Sequence, residues 1–253
     1  MIPRYGWLGL WLAAALVGCS GDEGAPAAAE PPPRAGEDRG RIVFLGTSLT
    51  AGLGLDPDQA FPALIQQKLD SAGLRYVAVN AGVSGETSAG ARRRIDWLLR
   101  QPASVLVIET GANDGLRGLP TDSLRANIQA IVDRARKQTP PPAIVLVGMR
   151  ALPNFGLGYG RGFRQVYDDL TETNDLSLVP FLLEEVAGVD SLNQPDMIHP
   201  TAAGHRLMAE TVWEVLAPVL LRFAQNDTVT LDSLPRSDSP IAPTAASTSS
   251  AVL

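Results

Sequence analysis

The sequence predicts an α/β protein: a parallel sheet of about five strands with helices on both faces, three layers in all. Two observations point there. Short apolar runs alternate along the chain with segments whose apolar residues recur at helical spacing. One of them, Ala143 to Val147, is purely aliphatic, as a strand covered on both faces should be, and right-handed crossovers then carry successive helices over the sheet.

The first strand lies in Arg41–Gly52, RIVFLGTSLTAG, where Ile42 to Leu45 is β-branched and aromatic and stops at Gly46. Ser48 follows at the C-terminal mouth of that strand, the edge of an open α/β sheet where ligands bind. Asp58 to Ala72 repeats Phe61, Leu64, Ile65 and Leu69 on one helical face, and Tyr76 to Val79 is the second strand, leading into Asn80–Ser88, NAGVSGETS. Helical spacing returns with Ala91, Ile95, Leu98 and Leu99. Val105 to Ile108 is the third strand, followed by Glu109-Thr110-Gly111-Ala112-Asn113-Asp114-Gly115.

Leu124, Ile128, Ile131, Val132 and Ala135 mark the next helix, which Pro140-Pro141-Pro142 stops, and Ala143 to Val147 is the fourth strand. Gly156 to Gly162 reads as a glycine-rich loop. It lacks the Lys of a phosphate-cradling loop and is expected to be a flexible lid, with Phe155, Leu157 and Tyr159 as apolar substrate-binding candidates. Phe163 to Thr173 is helical, Leu176 to Val179 a short fifth strand, and Met208, Val212, Val215, Leu216 and Val219 share the face of a last helix.

Composition bounds the function. Of 253 residues, 45% are hydrophobic and 19% charged, enough for one domain with a substantial core, expected to be a monomer. A net charge of -6 argues against nucleic acid as a partner. Arg92-Arg93-Arg94 reads as a solvated helix face. One cysteine cannot form an internal disulfide and two histidines are too few for a zinc cluster; a carboxylate-rich metal site stays open without positive support, and no metal or cofactor is expected.

The ends differ from the middle. Trp7 to Val17 is apolar but shorter than the ~20 residues a spanning helix needs, so residues 1–18 read as a signal peptide. Leu16-Val17-Gly18-Cys19 resembles a bacterial lipobox, which implies a membrane anchor on Cys19 and a cell-envelope location; Ser20 in place of Asp after that Cys favours an outer membrane where the organism has one. The alternative is an ordinary secretory signal with Cys19 incidental. Residues 19–40 are rich in Ala, Pro, Gly and acids and are expected to be a disordered tether, 41–224 the folded domain, and 225–253 a low-complexity tail.

Three loops after the first three strands each offer a group that a nucleophilic site needs. Ser48 supplies a hydroxyl, Gly82 a backbone N–H open to close approach, and Asn113 an amide donor; together they could hold an anionic tetrahedral intermediate. His199 precedes the last helix with Asp196 in the same loop, so one segment could supply a base and the carboxylate that orients it. His205, inside the helix, reads as structural. Singly, Ser48, Gly82, Asn113 and Asp196 are ordinary turn or cap residues; their joint arrangement argues for chemistry.

Gly46-Thr47-Ser48-Leu49-Thr50, Asn80 to Thr87, Gly111 to Gly118 and Asp196-Met197-Ile198-His199-Pro200 resemble four ordered blocks of the GDSL, or SGNH, hydrolases, most of all the bacterial periplasmic thioesterase I, lysophospholipase and arylesterase group. The resemblance implies a flavodoxin-like sandwich and a serine esterase. Ser48 would be nucleophile, His199 base and Asp196 orienter, with an oxyanion hole from the Ser48 and Gly82 N–H groups and the Asn113 side chain. It implies small acyl ester or lysophospholipid substrates. A carbohydrate O-acetylesterase would use the same residues, and a non-catalytic lipid- or glycan-binding envelope lipoprotein is the reading from another class. Thr47 departs from the family's Asp and brings no charge.

Overall fold

The computed structural model describes residues 39–232, with side chains described through residue 222. Five strands form the sheet: β1 Gly40–Gly46, β2 Tyr76–Gly82, β3 Val105–Glu109, β4 Ala143–Val147 and β5 Ser177–Val179. All pair parallel, in the order β2-β1-β3-β4-β5. That is the flavodoxin-like doubly wound order, whose direction of progression reverses between β1 and β3 and opens a crevice at their carboxyl ends.

The helices are α1 Ser48–Ala51, α2 Phe61–Ser71, α3 Ser88–Leu98, α4 Ala112–Leu116, α5 Thr121–Ala135, α6 Gly156–Asn174 and α7 Ala202–Asp232. One layer pairs α2 with α7; the other packs α3 on α5 and α5 on α6. Between them Ile42 to Leu45, Val105 to Ile108 and Val145 to Val147 are all within 1% of full burial. Each such side chain contributes about 1.5–3 kcal/mol by leaving water, which is why these runs lack polar alternation. In α5 the five apolar residues of the expected face are buried without exception.

The glycine-rich stretch is not a loop: Gly156 to Gly162 forms the first two turns of α6. Glycine costs a helix about 1 kcal/mol per residue, so side chains between the glycines must supply the difference. Phe155, Tyr159, Phe163 and Tyr167 recur every fourth residue and contact in series, with ring centroids 5.4, 6.0 and 5.8 Å apart. Tyr159 Oη donates to the Leu119 carbonyl at 2.8 Å and Tyr167 Oη to that of Thr110 at 2.7 Å. Tertiary contacts thus override local propensity.

The last helix also runs on to Asp232, into the stretch assigned by composition to a tail. Extending an existing helix needs no new nucleus, so polar residues can follow it for some turns. The expected signal peptide, Cys19 and all but the last two residues of the expected tether lie outside the described residues, as does the chain beyond 232; Gly40, expected to end the tether, instead opens β1. Among the described residues no helix is long and apolar enough to cross a membrane.

Candidate active site

The crevice between β1 and β3 is where the expected site residues gather. β1 ends at Gly46, Thr47 caps the short helix α1, and its hydroxyl accepts from the Leu49 N–H at 3.4 Å. Ser48 is therefore the first residue of α1, a position whose N–H has no partner within the helix. Gly52 closes the turn in the left-handed region, φ 73°, with its N–H donating to the Ser48 carbonyl at 3.0 Å.

His199 reaches Ser48 from the loop before α7. Its Nε2 lies 2.9 Å from Ser48 Oγ and its Nδ1 lies 2.6 Å from Asp196 Oδ2. The second Asp196 oxygen accepts the Ile198 and His199 N–H groups, each at 3.0 Å. Hydrogen bonds from the His199 ring, then from the two amides, hold the Asp196 carboxyl down at about 2. A carboxylate fixed on Nδ1 keeps the proton there and leaves Nε2 as the acceptor facing the hydroxyl.

The tightness of this loop has a backbone cost. Met197 sits at φ 57°, the left-handed region that side-chain-bearing residues avoid. Gln194 secures the loop: its N–H donates to the His199 carbonyl at 2.7 Å, and its side-chain amide donates to the carbonyls of Leu53 at 2.7 Å and Pro200 at 3.0 Å. One side chain thus ties the His199 loop to the segment following Ser48. Sequence reading passed over Gln194, because only its long-range partner Leu53 marks it.

On the opposite wall Asn113 belongs to α4, and one Nδ2 hydrogen donates to the Glu86 carbonyl at 3.0 Å, leaving the other free to face the cleft. Neighbouring bonds hold that wall. Asp114 accepts from Ser88 Oγ at 2.6 Å and Ser88 N at 2.8 Å, and Arg94 pairs with Glu86 at 2.7 Å.

Gly82 does not present a free donor. It is the last residue of β2, its N–H donates to Asn80 Oδ1 at 3.0 Å, and a Cβ there would stand 2.2 Å from Ala51 N and 2.8 Å from the Thr47 carbonyl. Its smallness lets β2 pack on the turn that carries Ser48. Gly85, three residues on, lines the cleft beside Ser48 and Asn113 at φ 76°. Its N–H has no hydrogen-bond partner among the described residues.

Ser48, Gly85, Asn113 and His199 line a cleft of about 680 Å³ whose walls also include Leu49, Leu53, Leu116, Met149, Phe181 and Ile198. Phe155, Leu157 and Tyr159 are not among the lining residues. Phe155 lies against Gly118, Leu157 is 78% exposed, and the Tyr159 hydroxyl is committed to Leu119. The preceding Leu152 and Pro153 border the cleft instead. His205 is buried away from it, stacked on Phe61 and accepting the Phe61 N–H on Nδ1 at 3.2 Å. Burial first, and His199 second, push it down to about 4. Thr47 is 1% exposed and faces Glu109 behind the turn.

A hydroxyl bonded to an imidazole that is bonded to a carboxylate, set at the switch point of a doubly wound sheet, is the arrangement of a serine hydrolase. The chain belongs to the GDSL-like lipase/acylhydrolase family, whose model matches residues 44–207, and it is an SGNH-type serine hydrolase with esterase activity. It is 39% identical over 180 residues to esterase TesA of Pseudomonas aeruginosa, covering 71% of this chain and 89% of that one. It is 33% identical over 181 residues to thioesterase 1/protease 1/lysophospholipase L1 of Escherichia coli, covering 71% and 84%. The crystal structure of the psychrotrophic esterase EstA from Pseudoalteromonas sp. superposes with a TM-score of 0.67 at 32% identity, covering 71% of this chain and 98% of that one.

Proposed function

We propose that the protein hydrolyses carboxylic ester or thioester bonds of small acyl esters, aryl esters or lysophospholipids through an acyl-enzyme on Ser48. The observation that carries this reading is the continuous hydrogen-bonded line Ser48 Oγ–His199–Asp196, whose Ser48 and His199 line a largely apolar cleft. His199 Nε2 takes the hydroxyl proton as Ser48 Oγ bonds to the carbonyl carbon. The oxyanion is met by the Ser48 N–H, the Asn113 amide and the Gly85 N–H, the last in place of Gly82. The imidazolium then protonates the departing alkoxide or thiolate as its bond to carbon breaks. Water then bonds to the acyl carbon as His199 takes its proton, and the imidazolium returns that proton to Ser48 Oγ as the acyl bond breaks, which releases the acid.

Asp196 contributes by staying ionised, since protons lost near pH 2 leave a carboxylate to stabilise the imidazolium throughout the neutral range. Losing one oxyanion donor typically costs about 10²–10³ in kcat. The apolar walls favour an acyl chain longer than acetyl, and the names of the relatives, an esterase and a thioesterase/lysophospholipase, agree with that substrate range.

The decisive comparison is hydrolysis of p-nitrophenyl esters of increasing acyl length by wild type and Ser48→Ala. A fall of more than about 10³-fold is expected for the variant, and equal rates would end the assignment. The lipobox-like Leu16–Cys19 supports a further part of the reading: cleavage before Cys19, a lipid on its thiol, and work in the cell envelope on the segment that precedes β1. Cys19→Ser should move the enzyme from the membrane to the soluble fraction; unchanged membrane retention would contradict the anchor.

A further inference from the structure

Glu109 ends β3 inside the molecule, 1% exposed, and does not line the cleft. Its carboxyl oxygens accept hydrogen bonds from one short segment. The Thr47 N–H donates at 2.7 Å, Thr47 Oγ1 lies 3.0 Å from each oxygen, and Thr50 Oγ1 donates at 2.8 Å. These donors bracket Ser48. Among the described residues no cation pairs with the carboxyl. A buried acid without a cation weakens the fold unless hydrogen bonds satisfy it, so packing alone would favour an apolar residue here.

Gly46 is shaped to this contact: a Cβ there would fall 1.8 Å from Thr50 Oγ1 and 2.7 Å from Glu109 Oε2. From the far side Arg94 Nη2 donates to the Gly46 carbonyl at 3.1 Å. Along the chain, Glu109 opens the loop that carries Asn113, and Tyr167 holds the next carbonyl, that of Thr110. The carboxyl therefore joins the turn bearing Ser48 to the root of the loop bearing the amide donor.

We propose that Glu109 is a positioning residue for the reaction, a buried carboxyl that acts through Thr47 and Thr50 to hold Ser48 Oγ in line with His199 and the oxyanion donors. This rests on the reading of Ser48 as nucleophile. Threonine at 47 suits the role, because an aspartate there would stand about as near Glu109 as Thr47 Oγ1 does, 3.0 Å, and the two acids would have to share a proton. With threonine, one ionisable group governs the turn.

Ionisation changes the donor count. As a carboxylate Glu109 accepts from all its donors; once protonated it presents an O–H that one threonine hydroxyl must turn to accept. Burial pushes this carboxyl up to about 7 in spite of the Thr47 and Thr50 bonds, so the exchange falls in the working range. The groups facing this region are Tyr167 of α6, Asp114 of α4 and the Arg94–Glu86 pair at α3, while β1 and β4 offer only uncharged side chains apart from Arg41 at the far end of β1. The Tyr167 phenol is pushed well up by burial, then by Glu109 and Asp114, and stays neutral.

The test measures kcat, KM and the rate of fluorophosphonate labelling from pH 5 to 9 in full-length enzyme, with folding checked by circular dichroism. Glu109→Gln should lower kcat and labelling together by about 10- to 100-fold, the scale of a sub-ångström to 1 Å displacement of a nucleophile. KM should stay within about twofold, a transition-state rather than a binding loss, and the part of the pH dependence near 7 owed to Glu109 should vanish. Thr50→Val removes one donor at nearly constant shape and should lower kcat several-fold, on the order of one charge-assisted hydrogen bond; Thr50→Ser should restore it. If Glu109→Gln does not fold, the Thr50 pair decides. Folded Glu109→Gln or Thr50→Val with wild-type kcat and labelling, or with a loss confined to KM, would overturn the proposal. Activity surviving in Ser48→Ala would instead remove the nucleophile reading on which it rests.

Discussion

Gly82→Ala separates two accounts of why residue 82 is a glycine. A Cβ at this position would stand 2.2 Å from Ala51 N, 2.7 Å from Ala51 Cα and 2.8 Å from the Thr47 carbonyl, all backbone atoms of the turn around Ser48. Ordinary Cβ contacts begin near 3.4 Å, so β2 and the turn must separate by more than 1 Å. A displacement of that size at a nucleophile costs about 10² in kcat, and the overpacking itself costs about 1–3 kcal/mol of stability. The N–H of residue 82 survives the substitution, so if that amide acted only as a donor, activity would be spared. Gly85→Ala is the counterpart: a Cβ there meets no atom within 4 Å, and the cost is the left-handed φ of 76°, about 1–2 kcal/mol. Steady-state kinetics on a p-nitrophenyl ester and urea unfolding of both variants give the comparison. The packing account predicts that Gly82→Ala loses the more kcat; wild-type kcat and midpoint in Gly82→Ala would refute it.

Two further outcomes follow from the same structure. Gly158→Ala and Gly160→Ala place methyl groups in open space within the helical first turns of α6, so each should raise stability by about 0.5–1 kcal/mol without changing kcat; destabilisation in urea would contradict a helix there. For His205, burial sets the folded value near 4, below the ordinary ~6.5, so the unfolded chain takes up the proton first as pH falls. The stability from its neutral ring is complete above pH ~6.5 and is lost toward pH 4, about 3 kcal/mol in all. Glu109 runs the other way: its value is raised to about 7, so its contribution is complete below the ordinary carboxylate range and is lost as pH rises toward 7. Only a difference between variants isolates either group. His205→Asn keeps an acceptor for the Phe61 N–H without a titration, and between pH 7 and 4.5 it should lose about 2–3 kcal/mol less than wild type in urea unfolding; equal losses would refute the assignment.

What could be read without coordinates was whatever burial writes into a local pattern. β3 and α5 are legible because every residue that defines their period is buried, and β4 because all but its first residue are, so pattern and packing carry the same information. The start of α6 is not, because glycine hides a helix whose support comes from other elements. Its readable trace was the aromatic recurrence at 155, 159, 163 and 167, which a count of glycines obscures.

The site divides in the same way. Ser48, Asn113, Asp196 and His199 could be singled out because their side chains carry recognisable chemistry and stand at loop positions that the alternation of elements predicts. The backbone donor proposed at Gly85 could not, since which amide is free depends on where β2 stops. The strand runs on past Val79 to Gly82, commits that N–H to Asn80 and leaves the next glycine, Gly85, at the cleft. Glu109 is hidden for a related reason. An acid directly after four aliphatic residues looks like the first residue of a loop until β3 is seen to include it at 1% exposure. Its partners lie some sixty positions earlier in sequence, in the turn just after a strand that only the sheet order places next to β3. Side chains that perform chemistry announce themselves by type, whereas those that hold them in place depend on depth and pairing. A threonine where the family pattern has an acid was therefore visible at residue 47, while its physical meaning required the carboxyl behind it.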